Sequence, residues 1–354
     1  MAKSFLVRPV IHSMEGYVPG EQPQDRRYIK LNTNENPYPP SPQVLEAVKA
    51  AVTGELRLYP DPDARELRAK ASEVYDIPAE QIIAGNGSDD LLAMLFRACV
   101  DPSGTRQVAY PVPTYSLYDT LAVIQDAKPS TVPFPADFTL PVEALLALQA
   151  RLTIICSPNS PSGTVTPLSV IEDFARRASG LVVVDEAYVD FARETALSLL
   201  ATCPNLFILR TFSKSFSLAG MRIGLGFGSP EVVGELNKVR DSYNLDRLSL
   251  VAARAALDDL AWMKANVAKV VAARDDLLAE LAKLGFGELP SESNFVFART
   301  PSGDAAGLYR ALRDRGILVR YFATPALRDG IRISVGTPQE NGALLAALRE
   351  IAAA

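Results

Sequence analysis

The sequence predicts an α/β protein: a large unit with a helix-covered, mainly parallel sheet, followed by a smaller α/β unit. Three observations predict it. Short, continuous apolar runs alternate with helical stretches from about residue 80 to residue 240, the pattern of strands covered on both faces. The character then changes at about residue 245, where a long Ala-, Leu- and Val-rich helical region begins. Before all this, Pro9, Pro19, Pro23, Pro37, Pro39 and Pro40 break any period over residues 1–40. That segment reads as an arm crossing the surface or a partner subunit. The expected organisation is therefore an arm (1–40), a large domain (41–245) and a small C-terminal domain (246–354).

The elements follow in order. Ser41 and Pro42 open a helix as N-cap and first helical residue, and Gly54 is expected to end it. Strands are expected at Val108–Tyr110, Thr153–Cys156, Leu181–Val184, Leu206–Leu209 and Ile223–Phe227. Helices are expected at Ser88–Ala98, Leu168–Ala178 and Glu231–Val239. A long helical region runs to Leu284, and strands Asn294–Ala298, Ile317–Arg320 and Ile331–Val335 close the small unit.

Composition narrows the function classes. The chain has 354 residues, 48% hydrophobic and 22% charged, with a net charge of −5. Nothing in that balance points to nucleic acid or an anionic membrane as partner. No apolar run approaches the roughly 18 residues of a spanning helix, and the N-terminus has no apolar signal core. The three cysteines, Cys99, Cys156 and Cys203, show neither pairing nor metal spacing, so a reducing, cytoplasmic setting without a metal is expected. His12 is the only histidine, which excludes mechanisms needing two. Acid–base work then falls to Lys, Asp, Glu, Tyr or Cys.

Four polar groups stand where ligands bind in such folds, beyond the carboxyl ends of strands. Thr211-Phe212-Ser213-Lys214 follows Leu206–Leu209, with Arg222 shortly after. A desolvated lysine there is a nucleophile toward carbonyls, and Ser213 with Arg222 can hold a phosphate. Alone, a Ser-Lys pair favours an ordinary surface loop. Asp185-Glu186-Ala187-Tyr188 follows Leu181–Val184; Asp185 could keep a heterocyclic nitrogen protonated, or simply cap a helix. Ser157-Pro158-Asn159-Ser160-Pro161-Ser162-Gly163 is a rigid loop that could present Asn159, or a plain turn. Gly85-Asn86-Gly87-Ser88-Asp89-Asp90 opens a helix whose free N–H groups suit phosphate. It has no nucleotide-loop pattern, and a simple Ser N-cap is the bland alternative.

Order and spacing make the set specific. SPNSPSG, then VVVDEAY, then TFSKSFSLAGMRIG resembles the fold-type I pyridoxal-phosphate (PLP) aminotransferases at each step. Within them the chain looks like the histidinol-phosphate branch. GYVPGE, KLNTNENPYPPSP, LYPDPDARELR, AGNGSDD, YPVPTYSLY, GILVRYF and IRISVGT carry that likeness over nearly the whole chain. The usual asparagine and threonine of the Asn159 loop are Ser160 and Ser162 here.

The resemblance implies a PLP cofactor held by Lys214 as a Schiff base. It implies Asp185 at the pyridinium nitrogen, and Tyr188 and Asn159 at the ring 3-oxygen. Tyr115 would stack on the ring. Ser213, Arg222 and the backbone of Gly87, Ser88 and Asp89 would take the phosphate, with Tyr59 reaching it from the second subunit of a homodimer. Arg332 would hold the α-carboxylate of glutamate. Arg320, Arg332 and Tyr17 would face the phosphate of histidinol phosphate, and Asn36, Tyr243 and Asn244 would belong to the substrate region. The implied reaction exchanges an amino group between histidinol phosphate and 2-oxoglutarate, in histidine biosynthesis. Lys214 would serve as anchor and as proton carrier. An aromatic amino acid aminotransferase and a phosphate-recognising decarboxylase of the same fold are the alternatives. A PLP-binding regulator is disfavoured, because no DNA-binding extension precedes Ser41.

Overall fold

The computed structural model describes residues 6–101, 104 and 107–353. The first strand, β1 (Ile29–Lys30), belongs to the arm. Seven further strands form the main sheet: β2 (Ile82–Gly85), β3 (Val108–Val112), β4 (Ser130–Pro133), β5 (Leu152–Cys156), β6 (Leu181–Asp185), β7 (Leu206–Thr211) and β8 (Gly224–Gly228). Their order is β2-β8-β7-β6-β5-β3-β4. All neighbours from β7 to β4 are parallel, whereas β8 is antiparallel to both β7 and β2. The reversal has a local cause. The chain returns from β7 through the Lys214 loop with one 3-10 turn, Ala219–Met221, and no crossover helix, and such a connection can only make an antiparallel neighbour.

Strand periodicity divides the core. Val182, Val184, Ile155 and Ile208 point to one face, and Val183, Ile154, Phe207 and Leu209 to the other, as period-2 side chains must. Helices cover both. Ser88–Cys99, Leu117–Ile124 and Pro230–Val239 bury Leu92, Tyr118 and Leu236 on the second face. Arg65–Tyr75, Leu168–Arg177 and Arg247–Asp258 bury Leu67, Phe174 and Ala253 on the first.

A smaller sheet stands beside this body. β9 (Gly287–Glu288), β10 (Phe295–Arg299), β11 (Ile317–Leu318), β12 (Arg320–Tyr321) and β13 (Gly330–Ser334) complete the strands. Four of them form an antiparallel sheet in the order β12-β13-β10-β9. β11 instead pairs in parallel with β1, and Leu31 sinks into the core with Val296, Ile333 and Leu344. The end of the arm is thus stitched to the small unit, and the Ser334 N–H of β13 donates to the Leu31 carbonyl.

Several elements differ from expectation. The first long helix stops at Ala51, and Gly54 begins a separate 3-10 turn. The region after 245 is two helices, Arg247–Asp258 and Leu260–Lys283, because the Asp259 side chain caps the backbone N–H of Trp262. The single strand expected at Ile317–Arg320 divides into β11 and β12, which serve different sheets. β1, β2, β4 and β9 lie outside the expected strands.

Candidate active site

A cavity of about 620 Å³ opens where the carboxyl ends of β5, β6 and β7 meet the arm and the small sheet. Lys214, Asp185, Tyr188, Ser88, Asp89, Tyr115, Ser213, Arg222, Tyr17, Arg320 and Arg332 all line it. The sequence scatters these residues over more than 300 positions; the fold brings them to one cavity.

Lys214 lies at the base, its Nζ 3.4 Å from the carbonyl of Thr33 and 5.7 Å from the centre of the Tyr188 ring. Burial lowers its pKa to about 8; the positive charges of Arg332 and Arg222 act the same way, and Glu35 and Asp89 oppose them. Burial disfavours the ammonium form, so a neutral, nucleophilic amine is within reach of ordinary pH.

Asp185 ends β6 and is 2% exposed. Its Oδ2 accepts from the Tyr118 hydroxyl at 2.6 Å and its Oδ1 from the backbone N–H of Ala187 at 3.1 Å. Burial pushes its pKa up to about 6 against the effect of these donors, and the nearby charge of Asp89 adds to the rise. Tyr188 accepts from Asn34 Nδ2 at 3.0 Å. Its own hydroxyl proton is therefore left to donate elsewhere.

The corner around Arg222 is built from two loops. Gly87 precedes the helix Ser88–Cys99 without a side-chain cap. Its φ of +79° requires glycine, and a Cβ there would meet Arg222 Nη2 at 2.6 Å and push the guanidinium tip aside. Arg222 Nη1 donates to Ser213 Oγ at 3.3 Å, and Nη2 pairs with Asp89 Oδ2 at 3.1 Å. Tyr115 also donates to Asp89, at 3.3 Å.

The small sheet supplies the opposite wall. Arg320 and Arg332 are directly paired across β12 and β13. Arg332 Nη1 donates to Ser160 Oγ at 3.1 Å and Nη2 to the Asn32 carbonyl at 2.9 Å, while its Nε is buried without a hydrogen-bond partner. Arg320 holds the arm through the carbonyls of Val18 and Pro19. Tyr17 packs edge-on to Tyr115, ring centres 5.9 Å apart.

Other expected residues stand off the cavity wall. Asn36 donates to the carbonyls of Lys214 and Ser215 and so fixes the lysine loop. Asn159 accepts from Thr114 Oγ1 at 2.8 Å and donates to Ser162 Oγ at 2.9 Å. Asn244 donates to the Ala84 carbonyl and to Asp90, bracing the Gly87 loop from behind. Tyr59 is 77% exposed and stacks on Tyr243, ring centres 4.4 Å apart. Sequence reasoning missed Asn34 and the partnership of Tyr118 with Asp185. Asn34 sits in the NTNENP motif, but nothing local marks it as the partner of Tyr188 and Ser334.

The model of the family described as aminotransferase class I and II matches residues 26–348, and the chain belongs to that family. Three similar proteins carry one activity in their names. Histidinol-phosphate aminotransferase 1 of Nostoc sp. is 47% identical over 346 residues, 97% of each chain. The histidinol-phosphate aminotransferase of Citrifermentans bemidjiense is 46% identical over 348 residues, 98% of this chain and 99% of that one. The crystal structure of histidinol-phosphate aminotransferase from Sinorhizobium meliloti in complex with pyridoxal-5'-phosphate superposes with a TM-score of 0.90, at 29% identity and 99% coverage of both chains. Among the described residues no helix is long and apolar enough to cross a membrane.

Proposed function

We propose that this protein is a PLP-dependent aminotransferase that exchanges the amino group between L-histidinol phosphate and 2-oxoglutarate, giving imidazole acetol phosphate and glutamate, in histidine biosynthesis. One observation carries the reading: a partly buried lysine, a buried aspartate and an arginine–serine pair converge on one cavity opposite two paired arginines.

The residues fit the cofactor. Asp185 is a buried carboxylate whose hydrogen bonds come from neutral donors, so a protonated ring nitrogen is the complementary charge. Ser213, Arg222 and the backbone of Gly87, Ser88 and Asp89 would hold the phosphate, and Lys214 would bind the aldehyde carbon. Tyr115 would face the ring. Tyr188 would donate to the ring 3-oxygen, with Asn159 fixing the loop beside it. When bound, PLP supplies an electron sink for the pair left as the substrate's α-proton departs.

The chain does the rest. Lys214 Nζ, once freed by the incoming amine, would take up and return the substrate's migrating proton, so one amine would serve as general base and acid where no histidine stands. Arg332 orients a carboxylate or phosphate through its planar fork, with its unpartnered Nε as a further donor. Arg320 and Tyr17 complete that anion site. Asn36 holds the lysine loop, and Tyr243 and Asn244 hold the region beside it.

The same reading places Tyr59 at the phosphate of a second subunit. Its exposure and its stack on Tyr243 leave an aromatic surface for a partner, so a homodimer with shared sites is proposed. The large unit is taken to span 41–245 together with the helix Arg247–Asp258, which packs into its core, and the small one to occupy the rest of 246–354. A cytoplasmic location accords with three free cysteines.

Purified protein with PLP and 2-oxoglutarate tests the reading, when given histidinol phosphate, aromatic amino acids or threonine phosphate in parallel. The expected result is the highest kcat/KM with histidinol phosphate. Preference for an aromatic amino acid, or release of carbon dioxide from threonine phosphate, overturns it.

A further inference from the structure

Tyr118 is a buried polar group that the mechanism above does not use. It lies on the helix Leu117–Ile124, is 0% exposed and does not line the cavity. Its ring is held edge-on by Tyr115 and Tyr110, with centres 5.6 Å and 5.5 Å away. A phenol locked in this way has a fixed hydroxyl direction, and that direction is toward Asp185 Oδ2 at 2.6 Å. Such a distance is that of a charge-assisted O–H···O⁻ bond.

We propose that Tyr118 is the positioning residue of Asp185: its hydroxyl holds one carboxylate oxygen, keeping Asp185 anionic and aimed at the ring nitrogen. The inference rests on the reading that Asp185 faces that nitrogen. Its physical content is a competition for one proton, shared between the ring nitrogen and Asp185. The proton must stay on the nitrogen for the ring to draw electrons. Burial makes Asp185 a stronger base and favours transfer to the carboxylate; hydrogen bonds donated to the carboxylate oppose this.

The groups around Asp185 leave that task to few donors. Asp89, on the helix Ser88–Cys99, repels its charge. Cys156, its register partner on β5, stays a neutral thiol because burial raises its pKa. Tyr188 is likewise kept neutral, pushed up to about 12 by burial. The donors are therefore the Ala187 N–H on Oδ1 and the Tyr118 hydroxyl on Oδ2. Of the two, only Tyr118 can be altered by substitution.

The test compares the loaded wild-type enzyme with Tyr118→Phe and Asp185→Asn. Phenylalanine keeps the ring and its packing, so thermal melting reports whether the fold is intact. In Tyr118→Phe the acid limb of the kcat/KM profile is expected to rise by about one pH unit, a tenfold change in proton affinity. Cofactor affinity, read by equilibrium dialysis, is expected to fall about tenfold on the same scale. kcat falls while KM for histidinol phosphate holds. A second measurement places 3,5-difluorotyrosine at position 118, a stronger donor of almost the same shape, and the acid limb is expected to move down. An unmoved limb and unchanged affinity in Tyr118→Phe, with Asp185→Asn impaired, overturns the proposal. An unimpaired Asp185→Asn overturns instead the assignment of Asp185 to the ring nitrogen.

Discussion

Lys214 owes its chemistry to its surroundings more than to its identity. A lysine pKa of about 8 lies below the ordinary 10.5, because burial and two arginines penalise the ammonium form. Below pH 8 the amine is protonated and cannot attack an aldehyde. The rate of PLP capture by cofactor-free protein should therefore rise about tenfold per pH unit, levelling off near pH 8; a flat profile across pH 6–8 would refute the shift. Stability carries the same sign. Between pH 8 and 10.5 the unfolded chain binds the proton and the folded chain does not, so cofactor-free protein should gain stability with pH in that window. Lys214→Ala should abolish that slope along with turnover, as calorimetry can check. Arg332→Ala should raise KM for both glutamate and histidinol phosphate by roughly tenfold to a hundredfold, the worth of lost hydrogen bonds to a charge. An effect on neither would break the anion assignment.

At the scale of elements, the site depends on how loops leave strands. The helix Ser88–Cys99 offers its free N–H groups only because Gly87 can hold φ +79° beside Arg222. Gly87→Ala should cost about 1–3 kcal/mol through that backbone strain and weaken cofactor binding, since the methyl group meets the guanidinium. Unchanged affinity in a dialysis titration would mean that this corner does not hold the phosphate. The strand-end motifs were legible in the sequence because apolar runs mark where β5, β6 and β7 stop. The direction of β8 was not, since it depends on the missing crossover after Lys214. Nor was the division at Val319, since Ile317 and Arg320 look like one strand until β1 claims the first half. The role of Tyr118 is hidden in the sequence for a similar reason. One helical turn after Tyr115, it reads as core, and only the fold reveals that β6 delivers Asp185 to its hydroxyl.

The whole molecule explains why the cavity needs so much of the chain. The arm is anchored by β1 to β11 and by Arg320 to Val18 and Pro19, so Tyr17 and Thr33 reach the site as part of a fixed wall. The proposed dimer extends this logic to Tyr59. If Tyr59 acts across subunits, mixing Tyr59→Ala with Lys214→Ala protein forms hybrids with one intact site each. Activity should then recover to roughly a quarter of wild type, as random exchange in a two-fold assembly dictates. Activity no higher than the sum of the parents would place Tyr59 outside the partner's site. The central claim, that Lys214 is the residue that holds the cofactor, has a more direct test. Protein loaded with PLP can be reduced with borohydride, digested and mapped by mass spectrometry. A phosphopyridoxyl group on the peptide carrying Lys214 is the expected result; its presence on another lysine, with Lys214 unlabelled, would contradict the account.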